Sequence, residues 1–264
     1  LLLLTMGQLL NSNCCGHRNA YSSKIVKQRW IKNVSISHAS TRQEVTPQKV
    51  SSTQQATSPA KVGFQPAQSM EIKLMHWNIL ADKLAYGSFP LVEERYLKWE
   101  FRFSLILQQI KQMDPDCIGL SEVDVMPHYK RIAEAMSSLG YQDYFVEKSN
   151  GVSGSAIFFK RDKFICLEQN FIRFAPDSSQ FFIYCRLAKR ETLLSQLGFK
   201  SPISGIDSLK GTLGKSASTN RNVVIDPKLQ FVFGETHLKA KPKYMEQRVS
   251  QTQKIVAYFK EQFQ

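Results

Sequence analysis

The 264-residue chain is predicted to have an α/β (α+β) fold, because segments with the apolar spacing of strands alternate with segments that have the apolar spacing of helices. Residues 71–80 alternate apolar and polar side chains, which is the period of a strand, whereas residues 93–113 carry apolar side chains at helical spacing. A second strand and a second helix follow, and then strands come in quick succession. This order is typical of mixed folds in which helices cover the outside of sheets.

Turn and capping residues set the predicted boundaries. Asp114-Pro115 ends the first helix because the residue before a proline avoids the α region. Pro127 opens the second helix, and Gly140 suits its C-terminal cap. The predicted elements are a strand over 71–80, a helix over 93–113, a strand over 117–123, a helix over 127–139, strands over 141–147, 155–160, 164–167, 181–187, 222–225 and 229–236, and a helix from 242 onwards.

Helical spacing also predicts the face that each helix buries. The first helix is predicted to bury Phe103, Ile106, Leu107, Ile110 and Met113. The second is predicted to bury Ile132, Ala133, Met136 and Leu139, and the last Met245, Val249, Thr252, Val256, Phe259 and Phe263.

Basic charge is concentrated in the N-terminal part of the chain. The formal net charge is +13, and residues 1–70 hold eight lysines and arginines against one acid, Glu44. A basic body suits a polyanionic partner, although a small positive charge is common in proteins that bind no nucleic acid. We predict residues 1–68 to be a disordered basic tail because they lack a periodic apolar pattern. Residues 69–264 are predicted to form a domain, interrupted by an insertion at 190–220.

Three interpretations of the tail stay open. If translation starts at Met6, Gly7 and the pair Cys14-Cys15 suggest an acylated N-terminus that associates with a membrane. Residues 16–62, rich in Ser, Thr and basic residues, alternatively suggest a mitochondrial transit peptide. The third interpretation is a plain disordered linker and a cytoplasmic protein.

The five cysteines lack the spacing of a metal site. Cys117, Cys166 and Cys185 lie in apolar, strand-like runs, so we predict small core residues in a reducing compartment. No apolar run approaches the roughly 20 residues that a membrane-spanning helix needs.

Polar side chains suited to one site close three of the predicted strands. Asn78 ends the first strand, Glu122 the second, and His237 the last, with Lys239 and Lys241 directly after it. Carboxylate and amide oxygens are ligands for a hard cation, and a histidine with lysines suits a phosphate. Each residue alone could be turn chemistry or a structural side chain. Their repetition at strand ends predicts one site at one edge of a sheet.

Four motifs around these residues occur in a characteristic order. They are Trp77-Asn78-Ile79-Leu80, Leu120-Ser121-Glu122-Val123-Asp124, the Gly-Ser-Ala-Ile-Phe-Phe-Lys run over 154–160, and Thr236-His237-Leu238-Lys239-Ala240-Lys241. Together they resemble the exonuclease–endonuclease–phosphatase superfamily, in its deadenylase-like branch. The resemblance covers roughly residues 71–260, and it implies a sandwich of two mostly antiparallel sheets flanked by helices.

The resemblance also implies the chemistry, which is hydrolysis of a phosphate ester with Mg²⁺, or Mn²⁺ in its place, as Lewis acid. It implies Glu122 as the metal ligand and Asn78 as the group that orients the metal shell or the scissile phosphate. His237 would stabilise charge that develops on the phosphate. The lysines implied as phosphate-binding are Lys148, Lys239 and Lys241.

The same resemblance leads us to expect an incomplete domain. The Asp-x-Asn turn and the Ser-Asp-His motif of the superfamily do not occur in this sequence. We therefore expect a domain truncated after roughly its first half, with the inner face of its first sheet uncovered, and a chain that is not a competent hydrolase alone. Three substrate classes or roles stay open, namely the 3′ poly(A) end of RNA, the 2′-phosphate of NADP(H), and a non-catalytic interaction module.

Overall fold

The computed structural model describes residues 2–6, 29–36, 70–149, 151–196 and 230–262. Its strands are β1 (Leu2–Met6), β2 (Arg29–Ile36), β3 (Met70–Asn78), β4 (Cys117–Asp124), β5 (Tyr141–Glu147), β6 (Ser153–Lys160), β7 (Phe164–Arg173), β8 (Phe181–Lys189) and β9 (Gln230–Thr236). Its helices are α1 (Asp82–Ala85), α2 (Glu94–Leu97), α3 (Trp99–Met113), α4 (His128–Ser138), α5 (Arg190–Gln196) and α6 (Met245–Gln262), with a 3₁₀ turn over Pro242–Tyr244 before the last. The predicted strand over 222–225 lies outside the described residues.

The strands form two sheets. One has the order β1-β9-β8-β7, and the other has the order β2-β3-β4-β6-β5. The pairs β1–β9 and β3–β4 are parallel, and the other described pairs are antiparallel. The prediction of a two-sheet, mostly antiparallel fold is therefore confirmed.

Three apolar clusters arrange these elements in layers. The first lies between the sheets and joins side chains such as Ile72 and Ile157 to Ile183 and Phe233. The second packs α3 and α4 against the outer face of the five-stranded sheet. The third packs α6 against the outer face of the four-stranded sheet. The order of layers is therefore helix, sheet, sheet, helix.

The inner face of the first sheet is covered, contrary to our expectation of an exposed face. Strands β7, β8 and β9 form a second sheet, and their phenylalanines and aliphatic residues bury that face. The reason is that these strands, which we predicted one by one, pair with each other rather than extending the first sheet.

Two stretches of the predicted disordered tail are strands. β1 pairs with β9, and β2 pairs with β3, so both occupy sheet edges. An open edge presents unpaired backbone groups, and residues such as Trp30 and Val34 favour strands. The structure describes these two stretches as strands, and the division into tail and domain stays a prediction. The acylation and transit-peptide residues, from 7 to 28 and from 37 to 62, lie outside the described residues.

Two further boundaries differ from the prediction. The single helix predicted over 93–113 is interrupted at Lys98, whose ψ of 134° is extended, so α2 and α3 are separate. The predicted insertion begins with a helix, α5, which places Leu193 and Leu194 in buried positions. Residues 197–220 of the insertion lie outside the described residues.

The predicted buried face of α6 is confirmed at Phe259 and wrong at Met245, Val249 and Val256, whereas Thr252 is half-buried and Phe263 lies outside the described residues. Its buried residues are Arg248, Gln251, Ile255 and Phe259, whereas Met245, Val249 and Val256 are exposed. Arg248 and Gln251 face inward because Arg248 donates to the backbone carbonyl of Lys239 and Gln251 donates to the side-chain carbonyl of buried Gln180. Polar partners, which an apolar pattern does not report, thus set the rotation of this helix.

The described cysteines Cys117, Cys166 and Cys185 are free thiols, the first and last buried and the second half-buried. Among the described helices, none combines the length and the apolar character needed to span a membrane.

Gly234 lies where the chain has no room for a side chain. A Cβ atom there would be 2.1 Å from Cζ of Phe182, so Gly234→Ala must displace a fully buried ring. We expect this variant to lose about 1–3 kcal/mol of unfolding free energy, measured by chemical denaturation. In the control Gly87→Ala, the new Cβ meets nothing within 4 Å, although the positive φ of 75° adds backbone strain. Wild-type stability in Gly234→Ala would contradict the packing argument.

Candidate active site

Four of the predicted site residues meet where β3, β4, β5 and β9 end. Asn78 is the last residue of β3, and Glu122 lies near the end of β4, which runs parallel to β3. His237 directly follows β9, and Lys148 directly follows β5. The two sheets therefore contribute side chains to one edge of the sandwich.

A bulge in β4 directs Glu122 toward this edge. The pairing of β4 with β6 shifts register between Ser121 and Val123, and Glu122 between them has a φ of +54°. The left-handed conformation costs a non-glycine residue roughly 1–2 kcal/mol. Such strain clusters at functional sites, and here it falls on the residue implied as metal ligand.

Asn78 holds the Glu122 carboxylate. Its Nδ2 donates to Glu122 Oε1 over 2.8 Å, and its Oδ1 accepts from the backbone N–H of Leu80 over 2.9 Å. Both ends of the amide are thus engaged within the protein. Of the two roles implied for Asn78, this geometry favours the one in which it orients the metal shell.

His237 lies between Glu122 and Lys148. Its Nε2 is 3.6 Å from Glu122 Oε1, and its Nδ1 is 3.2 Å from Lys148 Nζ. Burial is the main cause that lowers the pKa of His237, and the Lys148 ammonium lowers it further. Burial also lowers the pKa of Lys148, against the opposing charges of Glu122 and Glu235. The cluster thus combines one carboxylate, one amine and one imidazole, all of them partly buried.

Lys239 and Lys241 are exposed residues of the segment after β9. Lys239 Nζ lies 4.5 Å from the ring centroid of Tyr244, which is a cation–π distance. Buried Arg248 donates to the carbonyl oxygens of Lys239 and Lys241, at 2.8 and 3.0 Å. These bonds hold the backbone of the segment against α6. The two lysines therefore border the cluster rather than join it.

Arg102 is a residue that the sequence pattern did not indicate. It is buried on α3 and donates to the carbonyl oxygens of Ile79, Leu80 and Leu97 at 2.6–3.0 Å. It also contacts Asp82 Oδ1 at 3.0 Å. These contacts fix the turn that leaves Asn78. The available signal was a basic residue inside an apolar helical stripe.

Asp124 lies beside this turn, and His128 opens the helix that follows. Asp124 Oδ2 accepts from the backbone N–H of Asp82 over 2.6 Å. Burial raises the pKa of the Asp124 carboxyl. Asp124 therefore has a structural contact, and the ring of His128 packs near Trp99.

The donor set fits a hydrated hard cation. Within the described ranges, no group of three or more His, Cys, Asp and Glu side chains is arranged to hold a metal ion. Mg²⁺ keeps several waters and asks for only one or two carboxylates. Glu122, with a side chain that is 14% exposed, offers one carboxylate at the edge of the sheets. Lys148 and His237 beside it offer donors to an anion.

Curated proteins with related sequences include nocturnins and Ccr4 exoribonucleases. Nocturnin of Drosophila melanogaster is 37% identical over 118 residues, which cover 40% of this chain and 18% of that protein. Human nocturnin is 37% identical over 111 residues, which cover 38% of this chain and 25% of that protein. The CCR4-Not complex 3′-5′-exoribonuclease subunit Ccr4 of Emericella nidulans is 33% identical over 157 residues, covering 52% of this chain and 21% of that protein.

The chain thus spans a quarter or less of these relatives' length. No protein-family model matches it. A crystal structure of ANGEL2, a 2′,3′-cyclic phosphatase, in complex with adenosine-2′,3′-vanadate, superposes with a TM-score of 0.51 and 24% identity, and the match covers 69% of this chain and 45% of that chain. The predicted resemblance to the exonuclease–endonuclease–phosphatase superfamily, in its deadenylase-like branch near nocturnin, is confirmed.

Removing the guanidinium of Arg102 should loosen the turn after Asn78. Arg102→Met leaves three carbonyls, two of them buried, and Asp82 without this donor, so we expect a loss on the order of 3 kcal/mol in unfolding free energy. The control is Arg95→Met, since Arg95 is 67% exposed in its pair with Glu93 and should change stability by less than about 1 kcal/mol. Equal effects of the two variants would contradict the anchoring role.

The lowered pKa of His237 predicts acid sensitivity. The unfolded ring takes up a proton near its ordinary pKa of 6.5, and the folded ring does so only at lower pH. Stability should therefore fall as pH drops below the unfolded pKa. We expect wild type to lose more unfolding free energy than His237→Gln between about pH 7.5 and pH 5.5, measured by urea denaturation. Parallel pH profiles of the two proteins would show that burial does not hold the ring neutral.

Proposed function

We propose that this chain carries the metal-binding and phosphate-binding part of a divalent-metal-dependent phosphoesterase that acts on the 3′ ends of RNA. The observation that carries the proposal is the convergence of Asn78, Glu122, Lys148 and His237 at one edge of two sheets. The sequence similarity to nocturnins and to an exoribonuclease supports the same reaction class.

In this proposal each residue has one task. Glu122 holds Mg²⁺ or Mn²⁺, which when bound supplies Lewis-acid polarisation of the phosphate. Asn78 keeps the carboxylate in place through its amide N–H. His237 and Lys148 donate to phosphate oxygens and stabilise the negative charge that grows on them in the transition state. Their partial burial strengthens these interactions because water screens them less.

Lys239 and Lys241 favour a polyanionic substrate over an isolated phosphate. Both are exposed and lie on the segment that leaves His237. Backbone phosphates that continue beyond the reacting group would meet them at the surface. The relative named as a 3′-5′-exoribonuclease fits this arrangement.

The second candidate is a phosphatase that acts on the 2′-phosphate of NADP(H). A single terminal phosphate would need only Glu122, Lys148 and His237. A comparison of substrates separates the two candidates. The double variant Lys239→Met/Lys241→Met should weaken the binding of oligoadenylate by at least about ten-fold and the binding of NADP(H) far less. Lys243→Met, which changes an exposed lysine of the same loop, is the matched control.

The compartment stays a prediction. The tail interpretations lead to a cytoplasmic protein, a membrane-tethered one or a mitochondrial one, and a fluorescent fusion of the full chain distinguishes them. Diffuse fluorescence favours the linker interpretation, whereas membrane or mitochondrial fluorescence favours acylation or import.

The metal assignment is tested with Glu122→Gln. The amide keeps the shape of the side chain and an oxygen for the Asn78 hydrogen bond, but it removes the charge that a hard cation requires. We expect Mn²⁺ affinity, measured by electron paramagnetic resonance titration, to fall at least about ten-fold, with little change in melting temperature. Any metal-dependent turnover of oligoadenylate should fall by at least about a hundred-fold.

The control for this test is Glu147→Gln, which removes an exposed carboxylate at the end of β5. It should bind Mn²⁺ as wild type does. Wild-type Mn²⁺ affinity in Glu122→Gln would refute the assignment of the metal ligand.

A further inference from the structure

A fully buried carboxylate lies directly beneath the candidate site. Glu235 on β9 has 0% exposure. Ser121 Oγ on β4 donates to its Oε1 over 2.8 Å. His76 Nδ1 on β3 lies 2.7 Å from its Oε2, and His76 is only 4% exposed. Both oxygens of a residue in one sheet are thus engaged by side chains of the other sheet.

The three members of this group, His76, Ser121 and Glu235, each lie one or two positions before a site residue in the sequence. Ser121 directly precedes Glu122, whereas His76 and Glu235 precede Asn78 and His237 by two residues. Side chains two apart on a strand point to the same face. The strands that lead to Asn78, Glu122 and His237 therefore each also supply one member of the buried group, whereas β5, which leads to Lys148, supplies none.

A carboxylate buried in this way is a poor means of stabilising the fold, compared with apolar side chains at the same place. A buried ion pair often contributes less stability than apolar residues of the same volume, and the surrounding layer between the sheets is apolar. Glu235 also affects the site electrostatically, because it opposes the lowering of the pKa of both Lys148 and His237. These observations favour a role in the site over a role in packing.

We infer that Glu235 is a positioning residue, which ties β3, β4 and β9 together beneath the site and places a carboxyl group on its Lys148–His237 side. Its effect on the reaction rests on the proposed function. Its effect on the geometry of His237 and on cation affinity does not need turnover and is measured in the full chain.

The test uses Glu235→Gln, which keeps the shape of the side chain, and Glu235→Ala, which removes it. Three quantities are measured, namely melting temperature, Mn²⁺ affinity, and the NMR cross-peak of the His237 ring in the metal-free chain. The control is Tyr141→Phe, because the buried Tyr141 hydroxyl donates to the Pro115 carbonyl at the opposite end of β5. This control also loses one buried hydrogen bond, but it does so far from the site.

We expect both Glu235 variants to move the His237 cross-peak and to weaken Mn²⁺ binding, on the order of ten-fold for one nearby unit charge in a partly buried site. Tyr141→Phe should lower the melting temperature and leave both site readouts unchanged. If Glu235→Ala does not fold, Glu235→Gln and Ser121→Ala provide the same readouts.

Two outcomes separate failure of this inference from failure of the proposed function. The inference is overturned if the Glu235 variants lower only the melting temperature, as Tyr141→Phe is expected to do. The proposed metal site is upheld in that case if Glu122→Gln still weakens Mn²⁺ binding. A wild-type chain that binds no Mn²⁺ overturns the metal assignment. In that case the His237 cross-peak alone decides the inference, and an unmoved cross-peak overturns it.

Discussion

The packing of the inner faces of the two sheets against each other determines where every strand of the candidate site ends. Ile72 in β3 and Phe233 in β9 belong to one buried cluster, although they lie in different sheets and far apart in the chain. Because a one-residue slip in a strand would reverse which side chains face that cluster, the apolar contacts fix the register of both strands. This register brings the residues after Trp77 and Thr236 to the same edge.

The site is electrostatically mixed rather than uniformly positive. The Glu122 carboxylate lies near the His237 ring, that ring lies near Lys148, and the buried Glu235 opposes the lowered pKa of both bases, so neither sign dominates the partly buried volume. A cation and an anion that arrive together, as a metal ion and a phosphate do, would meet complementary partners. An anion alone would meet the Glu122 carboxylate close to its donors, so in the proposed function metal binding and phosphate binding would support each other.

Apolar patterning predicted the elements well, and it predicted the rotation of a helix poorly where polar residues are buried. The end of β3 at Asn78 follows from the alternation of residues 71–80, whereas β4, predicted from an apolar run, continues past Glu122 to Asp124. The inward direction of Arg248 does not follow from such a pattern, because it depends on carbonyl groups that reach α6 only in the folded chain. The bulge at Glu122 was equally invisible, since it arises from pairing with β6 and not from a glycine or proline in β4.

At Glu122 the left-handed backbone lowers stability, whereas the side chain at the same position belongs to the candidate site. Glycine adopts this conformation without a steric penalty, so replacing Glu122 by glycine would relieve strain in β4 and delete the carboxylate at the same time. A screen that selects only for thermal stability should therefore drift toward glycine at this position. Retention of glutamate in a population of variants would be a sign that something other than folding is under selection.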